Sequence, residues 1–168
     1  MGLELLEERY QAFIEKNPAC REQLRILSGY NSLIQLNMRA LLDGITARVC
    51  PACAASCCQC MPVDGWFTEG DYFIFRACNE APFNLRVDHG LPNGCSFLGP
   101  AGCVLPPDCR PFPCVKVNCE TVSRELERCG AQDAFTNLYE ALDRLQEQLW
   151  HIIHPETAQH PAAEGSAA

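Results

Sequence analysis

Thirteen cysteines most constrain what this 168-residue chain can fold into, because 11 of them lie between Cys50 and Cys119. An odd number of cysteines cannot all pair as disulfides. The N-terminus has neither the basic region nor the apolar region of a secretory signal, so we expect a cytoplasmic, reducing setting. Dense cysteines in that compartment more often bind metal than form disulfides. The sequence therefore predicts a metal-binding segment in the middle of the chain.

The charge balance excludes two classes of partner. With 21 acidic and 13 basic side chains, the formal net charge is −8. Such a chain repels phosphate backbones and anionic headgroups, so we expect no nucleic-acid binding and no attachment to membranes. No apolar run approaches the roughly 18 residues of a membrane span. A protein partner remains possible, and the sequence leaves the oligomeric state open.

Apolar residues recur every three or four positions on both sides of the cysteine segment, which predicts helices there. The first pattern covers residues 3–13 and stops at Asn17-Pro18, and the second covers residues 24–45. A third pattern, over residues 135–152, follows a helix break expected at Gly130. We expect the helices of the two chain ends to pack against each other, because a domain of this length needs them as its core.

These patterns predict a mainly α fold, in which a helical scaffold from both chain ends carries a loop-rich cysteine segment stapled by metal. A single domain would cover residues 1–154, with helical parts at 1–49 and 120–154 and the metal-binding segment at 50–119. Residues 155–168 read as a disordered tail. Within the cysteine segment, residues 72–75 and 85–87 have strand character and are consistent with a small β-hairpin.

The cysteines of the segment form two groups with metal-ligand spacing. Gaps of two residues, as in Cys50-Pro-Ala-Cys53, let two thiolates reach one ion from a single tight turn. Thiolates are soft ligands, which select zinc, Cu(I) or iron–sulfur clusters over magnesium and calcium. Spacing does not separate an iron–sulfur cluster from zinc, although the density of cysteines favours iron–sulfur. The candidate metal ligands are Cys50, Cys53, Cys57, Cys58, Cys95, Cys103, Cys114 and Cys119.

The same residues resemble the YkgJ-like cysteine-cluster proteins, whose pattern is CxxCxxCC followed by C-x-F-L, a further cysteine and R-P-x-x-C. The four cysteines within residues 50–58 match the first four of the pattern, although their spacing, CxxCxxxCC, is one residue longer. Cys95 with Phe97-Leu98, then Cys103, then residues 110–114 stand at the later part, with Cys109 as an extra cysteine. The resemblance covers about residues 50–119 and implies the binding of zinc or of an iron–sulfur cluster, without a defined reaction.

Other cysteines have competing interpretations. Cys60, Cys78 and Cys109 lie within the segment and could be ligands or packed side chains, as could Cys119. Cys20 and Cys129 lie outside the segment, on predicted helices, where we expect small buried side chains. Cys50-Pro-Ala-Cys53 could instead be a thiol–disulfide motif. Such a motif normally opens a helix, whereas this one follows the 24–45 pattern.

Histidine and arginine residues offer further candidates. His89 could complete a site of three cysteines and one histidine, or lie in an exposed turn. His151 and His154 share a helix face with Glu147 and could bind a metal, although a helix C-terminus also favours histidine. Arg110 could offset the negative charge of nearby thiolates, or be a surface residue.

The sequence contains no glycine-rich phosphate loop, no HExxH and no GxSxG motif, so it predicts no particular reaction. Three classes of function remain. The first is an iron–sulfur protein with an electron-transfer or accessory role. The second is a zinc-binding structural module for protein–protein interaction, and the third is a thiol–disulfide or metal-storage protein.

Overall fold

Helices make up most of the chain that the structure describes, and the mainly α prediction is confirmed. The computed structural model describes residues 3–53, 68–79, 95, 97–99, 102–116 and 119–156. The described elements are, in order, α1 (Leu3–Lys16), α2 (Cys20–Val49), a 3₁₀ turn (Cys50–Ala52), α3 (Glu69–Cys78), β1 (Leu98–Gly99), β2 (Gly102–Cys103), α4 (Phe112–Lys116), α5 (Glu120–Arg128) and α6 (Gln132–Ile153). The predicted tail lies largely outside these residues.

The predicted helix breaks are confirmed, and each has a local cause. Helix α1 ends before Asn17-Pro18, where the Asn17 side chain donates a hydrogen bond to the carbonyl oxygen of Phe13 at 3.1 Å. Between α5 and α6, Gly130 has a φ of +67°. Glycine adopts this left-handed conformation without a steric penalty, and it ends α5 before α6 begins two residues later.

The strand predicted at residues 72–75 is wrong, because these residues lie in helix α3. Thr68 begins the helix with a capping box, in which its hydroxyl accepts from the Asp71 N–H and the Asp71 carboxylate accepts from the Thr68 N–H. The second predicted strand, at residues 85–87, lies outside the described residues. A two-residue antiparallel pairing instead joins β1 to β2, with Leu98 opposite Cys103.

Helix α3 is surrounded by other helices, which explains its sequence. All six residues from Asp71 to Arg76 are buried, because α1, α2 and α6 pack around it. A helix buried on every side has no polar face, so its short apolar run cannot be told from a buried strand by periodicity. Gly70 allows the close approach of α6, since a Cβ there would lie 3.1 Å from both Gln146 Oε1 and Leu149 Cδ2.

Two clusters of buried side chains form the core. One surrounds α3 and includes side chains of α1, of the N-terminal half of α2 and of the C-terminal half of α6. The other joins the C-terminal half of α2 to α5 and the start of α6, with Met38, Leu126 and Leu142 at most 1% exposed. The two helical ends of the chain therefore pack together, as predicted.

A buried ion pair fixes α3 against α1. Arg76, whose side chain is 7% exposed, donates from Nε to Glu7 Oε2 at 2.8 Å, and the Tyr72 hydroxyl donates to the same oxygen. Burial opposes ionisation of Glu7, but hydrogen bonds from Gln11, Tyr72 and Arg76, with the charge of Arg76, outweigh it and lower the pKa of Glu7. Glu7 is therefore ionised at neutral pH and neutralises Arg76.

Replacing Glu7 by Gln is expected to lower the free energy of unfolding by about 2–3 kcal/mol at neutral pH, because Arg76 then keeps a buried, unpaired charge. Since the folded pKa of Glu7 is lowered, its contribution is present above the unfolded pKa and is lost as the pH falls through the folded pKa. Urea unfolding at neutral and acidic pH measures this. The difference between wild type and Glu7→Gln should shrink in acid, whereas exposed Glu8→Gln should change stability by under about 0.5 kcal/mol throughout.

Candidate metal-binding site

Cys50 and Cys53 lie on one tight turn at the C-terminal end of α2. The Cys50 N–H donates to the carbonyl oxygen of Thr46, which continues the helix, and the Cys53 N–H donates to the carbonyl oxygen of Cys50 at 3.1 Å. Both side chains are exposed. A gap of two residues lets both sulfurs reach one ion from this turn. The turn thus suits two metal ligands.

Cys103 is the last residue of β2, and Cys95 lies three residues before β1. Cys95 is 4% exposed, and its sulfur accepts a hydrogen bond from the Phe97 N–H at 3.4 Å. The Leu98 N–H donates to the carbonyl oxygen of Cys95 at 2.9 Å, which closes the turn. N–H donors aimed at sulfur stabilise a thiolate and tune metal-bound sulfur. Cys103 is partly buried on β2.

Cys114 and Cys119 are the last two candidate ligands, and both are exposed. Cys114 lies in α4, whose first residue, Phe112, donates its N–H to the buried carboxylate of Asp71 at 2.7 Å. Burial raises the pKa of Asp71, although this bond and two from Thr68 oppose the shift. Cys119 immediately precedes α5. Cys57 and Cys58 lie outside the described residues.

Polar side chains of α2 hold the loop that joins β2 to α4. Ser32 Oγ donates to Asp108 Oδ2 at 2.8 Å. Gln35 is 2% exposed and binds the backbone of Arg110 twice, accepting from its N–H at 2.9 Å and donating to its carbonyl oxygen at 2.8 Å. Part of the cysteine segment is therefore positioned by hydrogen bonds to the helical scaffold, which the sequence did not predict.

Replacing Gln35 by Leu is expected to cost about 2–4 kcal/mol of folding free energy, because both backbone groups of Arg110 lose their buried partner. The loop should also become cleavable by protease near Arg110. Urea unfolding and limited proteolysis measure the two effects. Gln23→Leu, an exposed position on the same helix, is the matched control and should change stability by less than about 0.5 kcal/mol.

Arg110 is partly buried, and its Nε has no hydrogen-bond partner among the described residues. A buried guanidinium N–H without a partner is costly unless an electronegative group lies beside it. This arrangement suits the interpretation that Arg110 faces negative charge. The surface interpretation does not explain the buried nitrogen.

The structure also places residues whose roles the sequence left open. Cys78 ends α3, and its thiol contacts both Ser28 and Cys109. Cys129 is exposed and Cys20 is partly buried, so the expectation of two small buried side chains is wrong for Cys129. Cys60 and His89 lie outside the described residues. Nothing in the sequence indicates that Cys78 and Cys109 are neighbours, because they are 31 positions apart and only the fold brings them close.

The histidines near the end of α6 do not form a metal site among the described residues. His154 Nε2 lies 3.2 Å from Glu69 Oε2, and its ring lies 4.1 Å from that of Trp150. His151 is exposed. Both lie at the C-terminal end of α6, where the helix dipole favours histidine. Within the described ranges, no three His, Cys, Asp or Glu residues are close enough together to hold a metal ion.

The chain matches no family model, no curated protein and no solved structure in comparisons with known proteins. No helix in the described part of the chain is long and apolar enough to span a membrane.

Proposed function

We propose that this protein binds metal through its central cysteines, as an iron–sulfur protein with an electron-transfer or accessory role, similar to the YkgJ-like cysteine-cluster proteins. The ligands would come from Cys50, Cys53, Cys57 and Cys58 in the first group and from Cys95, Cys103, Cys114 and Cys119 in the second. The Cys50–Cys53 turn carries the proposal. Two exposed thiols share one tight turn that follows a 30-residue helix, and from this turn both sulfurs can reach one metal ion.

The surroundings of the second group support the same chemistry. A buried sulfur that accepts a backbone N–H, as Cys95 does, is typical of a thiolate held by metal. Arg110 Nε has no hydrogen-bond partner among the described residues, which supports a neighbouring negative charge, because a site with four thiolates around Zn²⁺ carries a net charge of −2. The donor set therefore fits a thiolate-bound zinc ion or an iron–sulfur cluster, which would supply structural stability or a one-electron couple, respectively.

Spectroscopy and chemical analysis distinguish the two metals. Protein purified without oxygen should be brown, absorb in the visible region and release acid-labile sulfide together with iron. Bleaching by dithionite and recovery in air would support a redox-active cluster. Colourless protein that contains zinc and no labile sulfide would contradict the iron–sulfur proposal while leaving metal binding intact.

A zinc-binding structural module for protein–protein interaction is the second candidate, and a stripe on α2 favours it. Ile26, Tyr30, Leu33 and Leu36 follow helical spacing and are 47–60% exposed. Exposed apolar side chains grouped on one helix face are typical of interaction surfaces. Zinc without labile sulfide, together with binding of a partner that Leu33→Glu abolishes and Glu22→Gln retains, would support this candidate.

A further inference from the structure

Two cysteines outside the candidate ligand set lie side by side. Cys78, the last residue of α3, lies close enough to Cys109, in the loop between β2 and α4, for the two side chains to interact. Neither residue forms a disulfide in this structure. The residues on either side of Cys109 are held in place, because side chains of α2 form hydrogen bonds to Asp108 and to Arg110.

Ser28 orients the Cys78 thiol. Its hydroxyl, fully buried on α2, lies 2.7 Å from the carbonyl oxygen of Ile74 and 2.6 Å from the sulfur of Cys78. A hydroxyl has one proton, so when Ser28 donates to Ile74 it accepts from the Cys78 S–H. When Cys78 loses its proton, rotation of the same hydroxyl supplies a donor to the thiolate. Ser28 can therefore form a hydrogen bond with Cys78 both as a thiol and as a thiolate.

The two thiols differ in their access to solvent, and burial perturbs Cys109. Cys78 is exposed, whereas Cys109 is 6% exposed. Burial raises the pKa of Cys109 to about 12, and the negative charges of Asp108 and of Cys78 add to the shift. An Asn79 side-chain hydrogen bond opposes it. Cys78 is thus the accessible attacking thiol, and burial keeps Cys109 protonated at neutral pH.

An open cleft of about 500 Å³ leads to Cys78 and contains three guanidinium groups, those of Arg21, Arg25 and Arg76. Glu7 pairs with Arg76 and Glu22 pairs with Arg25. Arg21 forms no ion pair with any residue in the described ranges. The cleft therefore has a net positive charge in a protein whose formal net charge is −8. A negatively charged reactant is attracted to this opening.

We propose that Cys78 and Cys109 form a thiol–disulfide exchange pair, separate from the metal-binding cysteines, whose substrate is a small disulfide that carries carboxylates. Accessible and buried thiols in contact, with a positively charged cleft leading to the accessible one, are the features that carry this inference. The proposal does not depend on which metal the protein binds, or on whether it binds one.

The exchange proceeds in two displacements. The Cys78 thiolate attacks one sulfur of the small disulfide, the S–S bond of the substrate breaks, and the first small thiolate leaves and takes up the proton given up by Cys78. A mixed disulfide now occupies Cys78, which removes one of the smaller causes that raise the pKa of Cys109, while burial and the charge of Asp108 remain. Cys109 then loses its proton and attacks Cys78 Sγ, and the second small thiolate leaves with that proton. Two protein thiols are oxidised by two electrons, and one disulfide is reduced to two thiols.

Glutathione disulfide, a small disulfide with carboxylates, tests the proposal on the full chain purified with its metal and without oxygen. We expect release of two glutathione thiols per chain and formation of a Cys78–Cys109 disulfide, identified by peptide mass mapping. Cys109→Ser, with Cys109→Ala as a second variant of the buried position, should stop with glutathione on Cys78. Cys78→Ser should release essentially none. Cys129→Ser, which removes an exposed thiol elsewhere, should behave as wild type.

Two results would overturn the pairing. In the first, Cys78→Ser still releases both thiols, so that other cysteines carry the exchange. In the second, Cys78→Ser or Cys109→Ala loses metal while its helical circular dichroism stays intact, so that the pair consists of metal ligands. A protein that proves free of metal but still forms the Cys78–Cys109 disulfide would contradict the proposed function and leave this inference standing.

The positively charged cleft is tested separately. Arg21→Ala should slow the reaction with glutathione disulfide by about threefold, the effect of losing one solvent-exposed charge interaction. It should leave the rate with neutral hydroxyethyl disulfide unchanged. Arg39→Ala, on the same helix but outside the cleft, should change neither rate. Equal slowing of both disulfides by Arg21→Ala, or no slowing of either, would overturn the assignment of an anionic substrate.

Discussion

Removing the metal is expected to leave the helical scaffold folded and to expose the cysteine segment to protease. A structural site of thiolates contributes about 10–16 kcal/mol of apparent binding free energy at neutral pH, as large as the roughly 5–15 kcal/mol that stabilises a whole domain. The core cluster joining α2, α5 and α6 includes none of the candidate ligands. Chelation should therefore disorder the turns and loops that carry the candidate ligands while most helical circular dichroism persists.

Limited proteolysis with and without chelator measures this effect, and readdition of metal is the control. Cleavage should move to sites between residues 50 and 119 on chelation and should be suppressed again when metal returns. Helix α3 should resist cleavage longest, because its side chains are buried against three other helices, although they share a core cluster with Cys95 and Cys109. Unchanged cleavage after complete removal of metal would contradict a structural role for the site.

Replacing Cys95 by Ser is expected to lower metal affinity by more than about tenfold, because a serine oxygen is harder and less acidic than a thiolate sulfur. Cys95 is the most buried of the described candidate ligands, and it accepts the Phe97 N–H. Serine at Cys53, Cys57 or Cys114 should also lower metal affinity. Metal per chain, measured after dialysis against a weak chelator, provides the readout.

Serine substitution at Cys20 and at Cys129 provides the matched control. Both cysteines lie outside the 50–119 segment, so metal content should not change, and stability should change by under about 1 kcal/mol. If these variants lose metal while Cys53→Ser and Cys95→Ser keep it, the site lies elsewhere in the chain.

The helical scaffold could be predicted from sequence because its helices bury one face and expose the other. Leu6, Tyr10 and Ile14 on α1, like Leu142, Leu145 and Leu149 on α6, repeat every three or four residues. Helix α3 could not be predicted in the same way. It is buried on all sides, so its four consecutive apolar residues have no periodicity, and only Thr68 and Asp71 mark its beginning.

The candidate site was predictable only where neighbours in sequence are neighbours in space. The Cys50–Cys53 turn follows from a two-residue gap, whereas the pairing of β1 with β2 was not predicted, because the hairpin was expected at residues 72–75 and 85–87. The contacts of Ser28, Gln35 and Cys78 depend on how α2 packs against α3 and the later loop. A polar residue among the apolar positions of a helix, such as Gln35, indicates a buried hydrogen bond. It does not indicate which backbone group the side chain will bind.

The metal content of the folded protein tests the central claim most directly. The full chain should be purified without oxygen, dialysed, checked by circular dichroism and sedimentation, and analysed for iron and zinc per chain. We predict at least one tightly bound zinc ion or iron–sulfur cluster per chain, lost when Cys53 and Cys95 are replaced by Ser. A well-folded protein that contains neither metal, and whose cysteine segment resists protease in that state, would contradict the account.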